Sequence, residues 1–257
     1  MSRPQHLAIM VATRAKSTGR GFSIVELMVV VLVIGLLLAL LLPALSSVRR
    51  AARDTASLAR AKEISAVITA YSQDAREYFP YSAAGDAVNM GDGSSIASSD
   101  PFALEYLYAG LVSSHLPWPA FREVWLSPSA QRSNSESWLP PSYLYTWAFA
   151  AHPRLWNLDH PPSTLDLGAS NWAAIRWPSR KVLILDQELP YVSKRHAQWI
   201  GVDRADPVAM AFIDGHASLN RPHEASSPVP NRLQAETGRR RESRIFNTRD
   251  GVAGADY

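Results

Sequence analysis

From Ile24 to Leu42 almost every position is apolar, and the one exception is the carboxylate of Glu26. The run is 19 residues long, about 28 Å as a helix and close to the ~30 Å hydrocarbon layer of a bilayer. Beyond Pro43 the pattern changes. Leu45, Val48, Ala52, Thr55, Leu58, Ala61, Ile64, Ile68 and Tyr71 recur at threes and fours, with Arg49, Arg53, Arg60 and Glu63 mostly between them. That spacing predicts an amphipathic continuation to about Tyr78, stopped by Pro80. The first half, apolar all round, suits lipid or neighbouring helices, whereas the second half has a single stripe to bury against the rest of the chain. Pro43 removes one backbone hydrogen bond, which predicts a kink at the junction.

Further on the elements become short. Residues 82–99 are small and polar and read as a loop. Asp100-Pro101 suggests a helix start, with an apolar face of Leu104, Leu107, Tyr108 and Leu111. Residues 118–156 are rich in Trp, Tyr and Pro, with a strand predicted over Ser142–Phe149. Lys181–Leu185 is another strand, and Val208–Ile213 with His216–Leu219 flank Asp214-Gly215, which predicts a hairpin with a two-residue turn. The tail from Arg221 to Tyr257 lacks periodicity, carries Arg239-Arg240-Arg241 and is expected to be disordered.

Charge adds one constraint. Among 257 residues the net charge is +3, yet residues 1–21 hold Arg3, Arg14, Lys16 and Arg20 and no acid. Loss of that leader would take the charge to −1, so the basic balance does not point to nucleic acid as a partner. Without cysteine no disulfide can form, and the chain is compatible with either redox compartment. Cations flank the apolar run on both sides, with Arg49, Arg50, Arg53, Arg60 and Lys62 following it, so charge alone does not orient it. An ordinary secretory signal with Ala44-Leu45-Ser46 as the cut site, and a plain unprocessed anchor, are the alternative readings of the segment.

Candidate chemistry in the C-terminal region is sparse. Asp186, Glu188, Asp214 and His216 could offer a divalent cation, calcium above all, a ligand set at adjacent strand ends. The plainer reading makes Asp214-Gly215 a turn and Asp186 a strand end, so no cofactor is expected and Asp186 and Asp214 are the only metal candidates. His6, His115, His152, His160 and His223 show no ligand spacing. No residue pattern orients an activated nucleophile, so no enzyme activity is expected. The eight tryptophans read as core and as lining for the long helix. Glu26 is different. A carboxylate in a membrane-length segment costs roughly 2.5–3.5 kcal/mol, which marks it as functional.

A basic leader, Gly21, Phe22 and then Glu26 five residues past the glycine, with Gly35 and Pro43 in the following helix, resembles the N-terminus of type IV prepilins and type II secretion pseudopilins. The likeness continues in Leu126-Ser127-Pro128-Ser129, Ser142-Tyr143, Pro178-Ser179 with Val182, Leu183 and Asp186, and Phe212-Ile213-Asp214-Gly215-His216. It departs from the pattern where a cysteine and an upstream histidine are usual; Arg204 stands at the latter place. The resemblance implies cleavage by a prepilin peptidase between Gly21 and Phe22, and N-methylation of Phe22. It further implies pairing of Glu26 with a neighbouring subunit's amino terminus, and a kink at Pro43. The fold it implies is α+β and pilin-like, a long helix packed on a small antiparallel sheet. Its parts are a leader (1–21), a transmembrane assembly helix (22–45), its amphipathic continuation (46–79), a globular domain (80–220) and a tail (221–257). The implied function is that of a filament subunit of a pilus or secretion pseudopilus. Its implied setting is the bacterial inner membrane, crossed once with the leader cytoplasmic and the domain exported. A membrane-anchored module that binds a glycan or protein without polymerising is the competing reading.

Overall fold

The computed structural model describes residues 22–117, 120–128, 141–187, 206–233 and 243–257. Packing divides the chain into two units, residues 1–49 and 50–257. Helix α1, Ile24–Asp74, contributes to both and runs through Pro43 without a break. In the first unit every described residue is exposed.

The second unit is α+β. After α1 come β1 (Ala87–Asn89), β2 (Ser95–Ala97), α2 (Leu104–Leu111), α3 (Arg122–Trp125), β3 (Tyr143–Tyr145), β4 (Val182–Asp186), β5 (Val208–Phe212) and β6 (Ala217–Asn220). Strands β3-β4-β5-β6 form one antiparallel sheet in that order, and β1 and β2 pair as a separate two-stranded ladder. Helix α1 stops earlier than Tyr78 because Arg76 and Glu77 take positive φ, at 56° and 68°. The chain then turns so that Phe79 N–H donates to the Ser170 carbonyl. Helix α2 begins at Leu104 rather than at Pro101: Asp100 accepts from Phe102 N–H and holds residues 101–103 in a turn. The predicted strand over Ser142–Phe149 ends at Tyr145, and Trp147–Ala150 wind into a 3-10 turn. The predicted loop over 82–99 contains the β1–β2 ladder, in which Val88 faces Ile96.

Both β4 and β5 are buried at every position, so the sheet is covered on two faces. On one face Tyr143, Tyr145, Ile184 and Ala211 pack with Ala61, Ile64 and Ile68 of α1 and with Tyr108 of α2. On the other, Leu144, Val182, Leu185, Met210 and Phe212 pack with Val229, Ile245 and Phe246. Leu183 and Ile184 are chain neighbours yet share the helix side, because the register slips between Val182 and Ile184. The buried stripe of α1 starts only at Ser57 and includes Ser65 and Ser72; Leu45, Val48, Ala52 and Thr55, counted in the predicted stripe, are exposed.

The tail corrects an expectation. The described parts of 221–257 are packed rather than disordered, and the globular unit does not end at 220. Sparse but large apolar groups, Val229, Ile245 and Phe246, supply the cover of the sheet's second face. Gly251, at φ 54°, lies against the indole of Trp156, where a Cβ would come within 2.4 Å. The tail is also tied electrostatically. Lys181 Nζ stands 3.1 Å from Asp256 Oδ1, and both side chains are fully buried. Lys181 also donates to Thr248 Oγ1 at 2.8 Å, Thr248 to Asp256, and Val182 N–H to Asp256 Oδ2 at 2.7 Å. Burial pushes the Lys181 ammonium down and the Asp256 carboxyl up, and each charge partly restores the other. The segment Arg239–Arg241 lies outside the described residues.

Removing one member of this pair strands the other charge in the core. Asp256→Ala should destabilise the unit by about 3–5 kcal/mol, whereas Lys181→Met with Asp256→Leu should recover most of the loss. Urea unfolding followed by tryptophan fluorescence measures both, and equal stability of Asp256→Ala and the parent would refute the assignment.

Candidate functional site

The start of α1 combines an exposed apolar surface with a single acid. Phe22 is 75 % exposed, and every large apolar residue from Ile24 to Leu42 is exposed as well. Among the described residues α1 is the one helix long and apolar enough to cross a membrane. Glu26 is held by local geometry. Its Oε2 accepts from Ser23 N–H at 2.9 Å, and Ser23 Oγ accepts from Glu26 N–H at 3.2 Å. This reciprocal pair satisfies two of the helix's orphan donors and places negative charge at the positive end of the backbone dipole. The Ser-x-x-Glu spacing ahead of an apolar run is legible in sequence, although Ser23 was not among the expected site residues. Gly21 lies outside the described residues. At Pro43 the following turn is closed by side chains: Ser46 Oγ donates to the Pro43 carbonyl and Ser47 Oγ to that of Ala44, both at 2.8 Å.

The two metal candidates do not share a place. Val182 pairs with Phe212 and Leu185 with Met210, so Asp186 and Asp214 sit at opposite ends of the β4–β5 pair. At least four strand residues separate those ends, about 13 Å. Among the described residues no three His, Asp or Glu side chains come together as a cation site would need. Glu188 lies outside the described residues.

Asp186 is buried at the end of β4 and accepts from Ser57 Oγ of α1 at 2.5 Å and from Ser127 Oγ at 2.7 Å. The Tyr143 hydroxyl lies 3.1 Å from Ser57 Oγ. Burial, and then the Asp186 charge, push the Tyr143 phenol above its ordinary range. Arg60 Nη1 donates to the Leu126 carbonyl at 2.7 Å. The arrangement is a polar clamp between the long helix, the sheet edge and the Ser127 segment. Ser57 lacked a sequence signal, because a lone serine on a helix is ordinary, whereas Ser127 stands in the Leu126-Ser127-Pro128-Ser129 stretch.

Asp214 is a turn residue. The hairpin loop is Ile213-Asp214-Gly215, three residues rather than the expected two. Phe212 N–H donates to the His216 carbonyl and Gly215 N–H to the Phe212 carbonyl. Only Gly215, at φ 86°, takes positive φ in that loop, the arrangement of a turn closed by a left-handed glycine. Asp214 Oδ1 accepts from His216 N–H at 3.1 Å and lies 2.5 Å from His216 Nδ1. The imidazole stacks on Phe212 with centroids 4.2 Å apart.

The tryptophans divide. Trp125, Trp147 and Trp156 are buried, and the Trp172 indole N–H donates to Ser72 of α1 at 2.9 Å. Trp177 is half exposed. No family model, curated protein or solved structure matches the chain.

Ser57→Ala removes one donor to a buried carboxylate. It should lower stability by about 1–3 kcal/mol, read as a shift in the urea midpoint, and an unchanged midpoint would show that the clamp carries no net stabilisation.

Proposed function

We propose that the chain is a structural subunit of a pilus-like or secretion-pseudopilus filament, anchored by α1 in a bacterial inner membrane before assembly. One observation carries this reading: an exposed, membrane-length apolar helix begins at Ile24, two residues after Phe22, with a single carboxylate in its first turn. A helix of that kind requires lipid or other helices around it, and the acid requires a partner when lipid replaces water. In the proposed cycle a prepilin peptidase cuts between Gly21 and Phe22 and methylates Phe22. The leader faces the cytoplasm and the sheet domain is exported. On assembly the new ammonium of one subunit meets Glu26 of another, so that neither charge enters the apolar filament core unpaired. Pro43 closes the apolar run, ahead of the domain-bound stripe that starts at Ser57. Repetition of the same head-to-tail contact leaves the filament open-ended. The α+β arrangement, with a long helix against a small antiparallel sheet, supports a pilin-like fold for the exported part.

The competing reading, an anchored binding module, draws on Leu165, 92 % exposed, and on the half-exposed Trp177. Crosslinking between copies in the membrane separates the two, since a module that acts alone gives none.

Intact-mass analysis of membrane-extracted protein should find a chain that starts at methylated Phe22; a start at Met1 or near Ser46 contradicts the proposal. Glu26→Ala should leave the subunit in the membrane yet reduce its incorporation beside the parent form by tenfold or more, the loss of about 1.4 kcal/mol or greater. Equal incorporation would remove Glu26 from this role.

A further inference from the structure

The contact between Lys181 and Asp256 sets an amine against a carboxyl group where water does not reach. Nζ stands 3.1 Å from Oδ1, and both side chains are fully buried. One hydroxyl touches both groups: Thr248 Oγ1 accepts from Lys181 Nζ at 2.8 Å and donates to Asp256 Oδ1. Val182 N–H donates to Oδ2 at 2.7 Å, so the two carboxyl oxygens have different surroundings. The backbone is pinned on either side of the contact. Asp256 N–H donates to the Arg180 carbonyl at 2.9 Å, and Ile213 N–H to the Lys181 carbonyl at 3.1 Å. All of these residues belong to the second unit, 50–257.

Amines and carboxyls coexist in water because each is hydrated as an ion. In a dry site the ions are the costly forms. Burial acts in that sense here, pushing the Lys181 ammonium down and the Asp256 carboxyl up. Transfer of one proton from Nζ to the carboxyl leaves a neutral amine, which is a nucleophile, beside a neutral acid. A fixed contact also replaces a bimolecular encounter with an intramolecular one, worth effective molarities on the order of 10⁵–10⁸ M when well oriented.

We propose that Lys181 and Asp256 condense into an intramolecular amide that bridges β4 and the tail. Nζ bonds to Asp256 Cγ, and the negative charge that develops on Oδ2 is met by Val182 N–H. Thr248 takes one proton from Nζ as it passes its own to Oδ1. The Cγ–Oδ1 bond then breaks, and Oδ1 leaves with two protons as water. The balance needs no oxidant, reductant or second substrate. The bridge joins residues 75 apart in the chain, and without cysteine it does the work of a disulfide in either redox compartment. Asp256→Ala then loses the bridge as well as the ion pair. The modification lies within the sheet domain, independent of the filament reading, and goes beyond it.

Intact-mass analysis of the full chain, unfolded in acid, is the test. The parent should be lighter by one water than its sequence dictates, whatever its first residue. Tryptic digestion should give residues 181–194 joined to 250–257, with no cut after Lys181. Lys181→Met with Asp256→Leu, which keeps the core apolar, should have its full sequence mass. In newly made protein Thr248→Val should lower the bridged fraction about tenfold or more, since positioned proton transfer contributes roughly 10²-fold or more to rate; Thr248→Ser should restore it. Full mass in the parent overturns the bridge. So does a lost water without the joined peptide, as ring closure at Asp250-Gly251 would give, or one that survives Lys181→Met with Asp256→Leu. An unchanged bridged fraction in Thr248→Val overturns the relay. A bridged chain that starts at Met1 contradicts the filament subunit alone, whereas full mass from methylated Phe22 contradicts the bridge alone.

Discussion

Strands β4 and β5 present apolar side chains to both faces of the sheet, and this constraint organises the rest of the domain. Val182 to Leu185 and Val208 to Phe212 hold almost no polar group, so neither face tolerates water. One cover comes from α1 and α2, through Ile64, Ile68 and Tyr108; the other comes from the tail, through Val229, Ile245 and Phe246. Full burial of large side chains stabilises by about 1.5–3 kcal/mol each, which is how a tail poor in apolar residues can still be held in place. The Lys181–Asp256 pair adds specificity to that cover: two charges without water must find each other, and they fix the tail's register against β4.

Helix α1 serves two environments in sequence order. Up to Arg53 its side chains are exposed, and from Ser57 onward one stripe packs on the sheet. The change of partner is marked by polar contacts. Ser57 reaches Asp186 and Ser72 receives the Trp172 indole, so the helix is positioned by hydrogen bonds as well as by apolar packing. Short side chains in the stripe let the helix approach the aromatic rings of Tyr143 and Trp172 closely.

The long helix, its apolar run and the main strands were legible in sequence because each rests on a local pattern. The period of the stripe predicted Ala61, Ile64 and Ile68, and the apolar runs located β4 and β5 within a residue. Legibility failed where geometry was decided by distant partners. The stripe was expected to begin at Leu45, yet only tertiary contact determines where burial starts, and it starts at Ser57. Asp186 and Asp214 looked like neighbours at strand ends until the register placed them apart. The tail lacks a period and so predicts disorder, but irregular segments held by a few large side chains have none. A hint was present in the two-sided apolarity of VLIL and VAMAF, which demanded a second cover. At the helix start the Ser23–Glu26 spacing is readable as a reciprocal cap.

The Lys181–Asp256 contact spans 75 residues of chain, and this has a bearing on biogenesis. Synthesis from the N-terminus delivers β4 long before Asp256 emerges. Until then Lys181 has no counter-charge, and one face of the sheet stays bare. The domain therefore matures only after the segment that carries Asp256 is available to pack. During that interval the uncovered apolar edges of β4 and β5 are the part of the domain most open to wrong pairing.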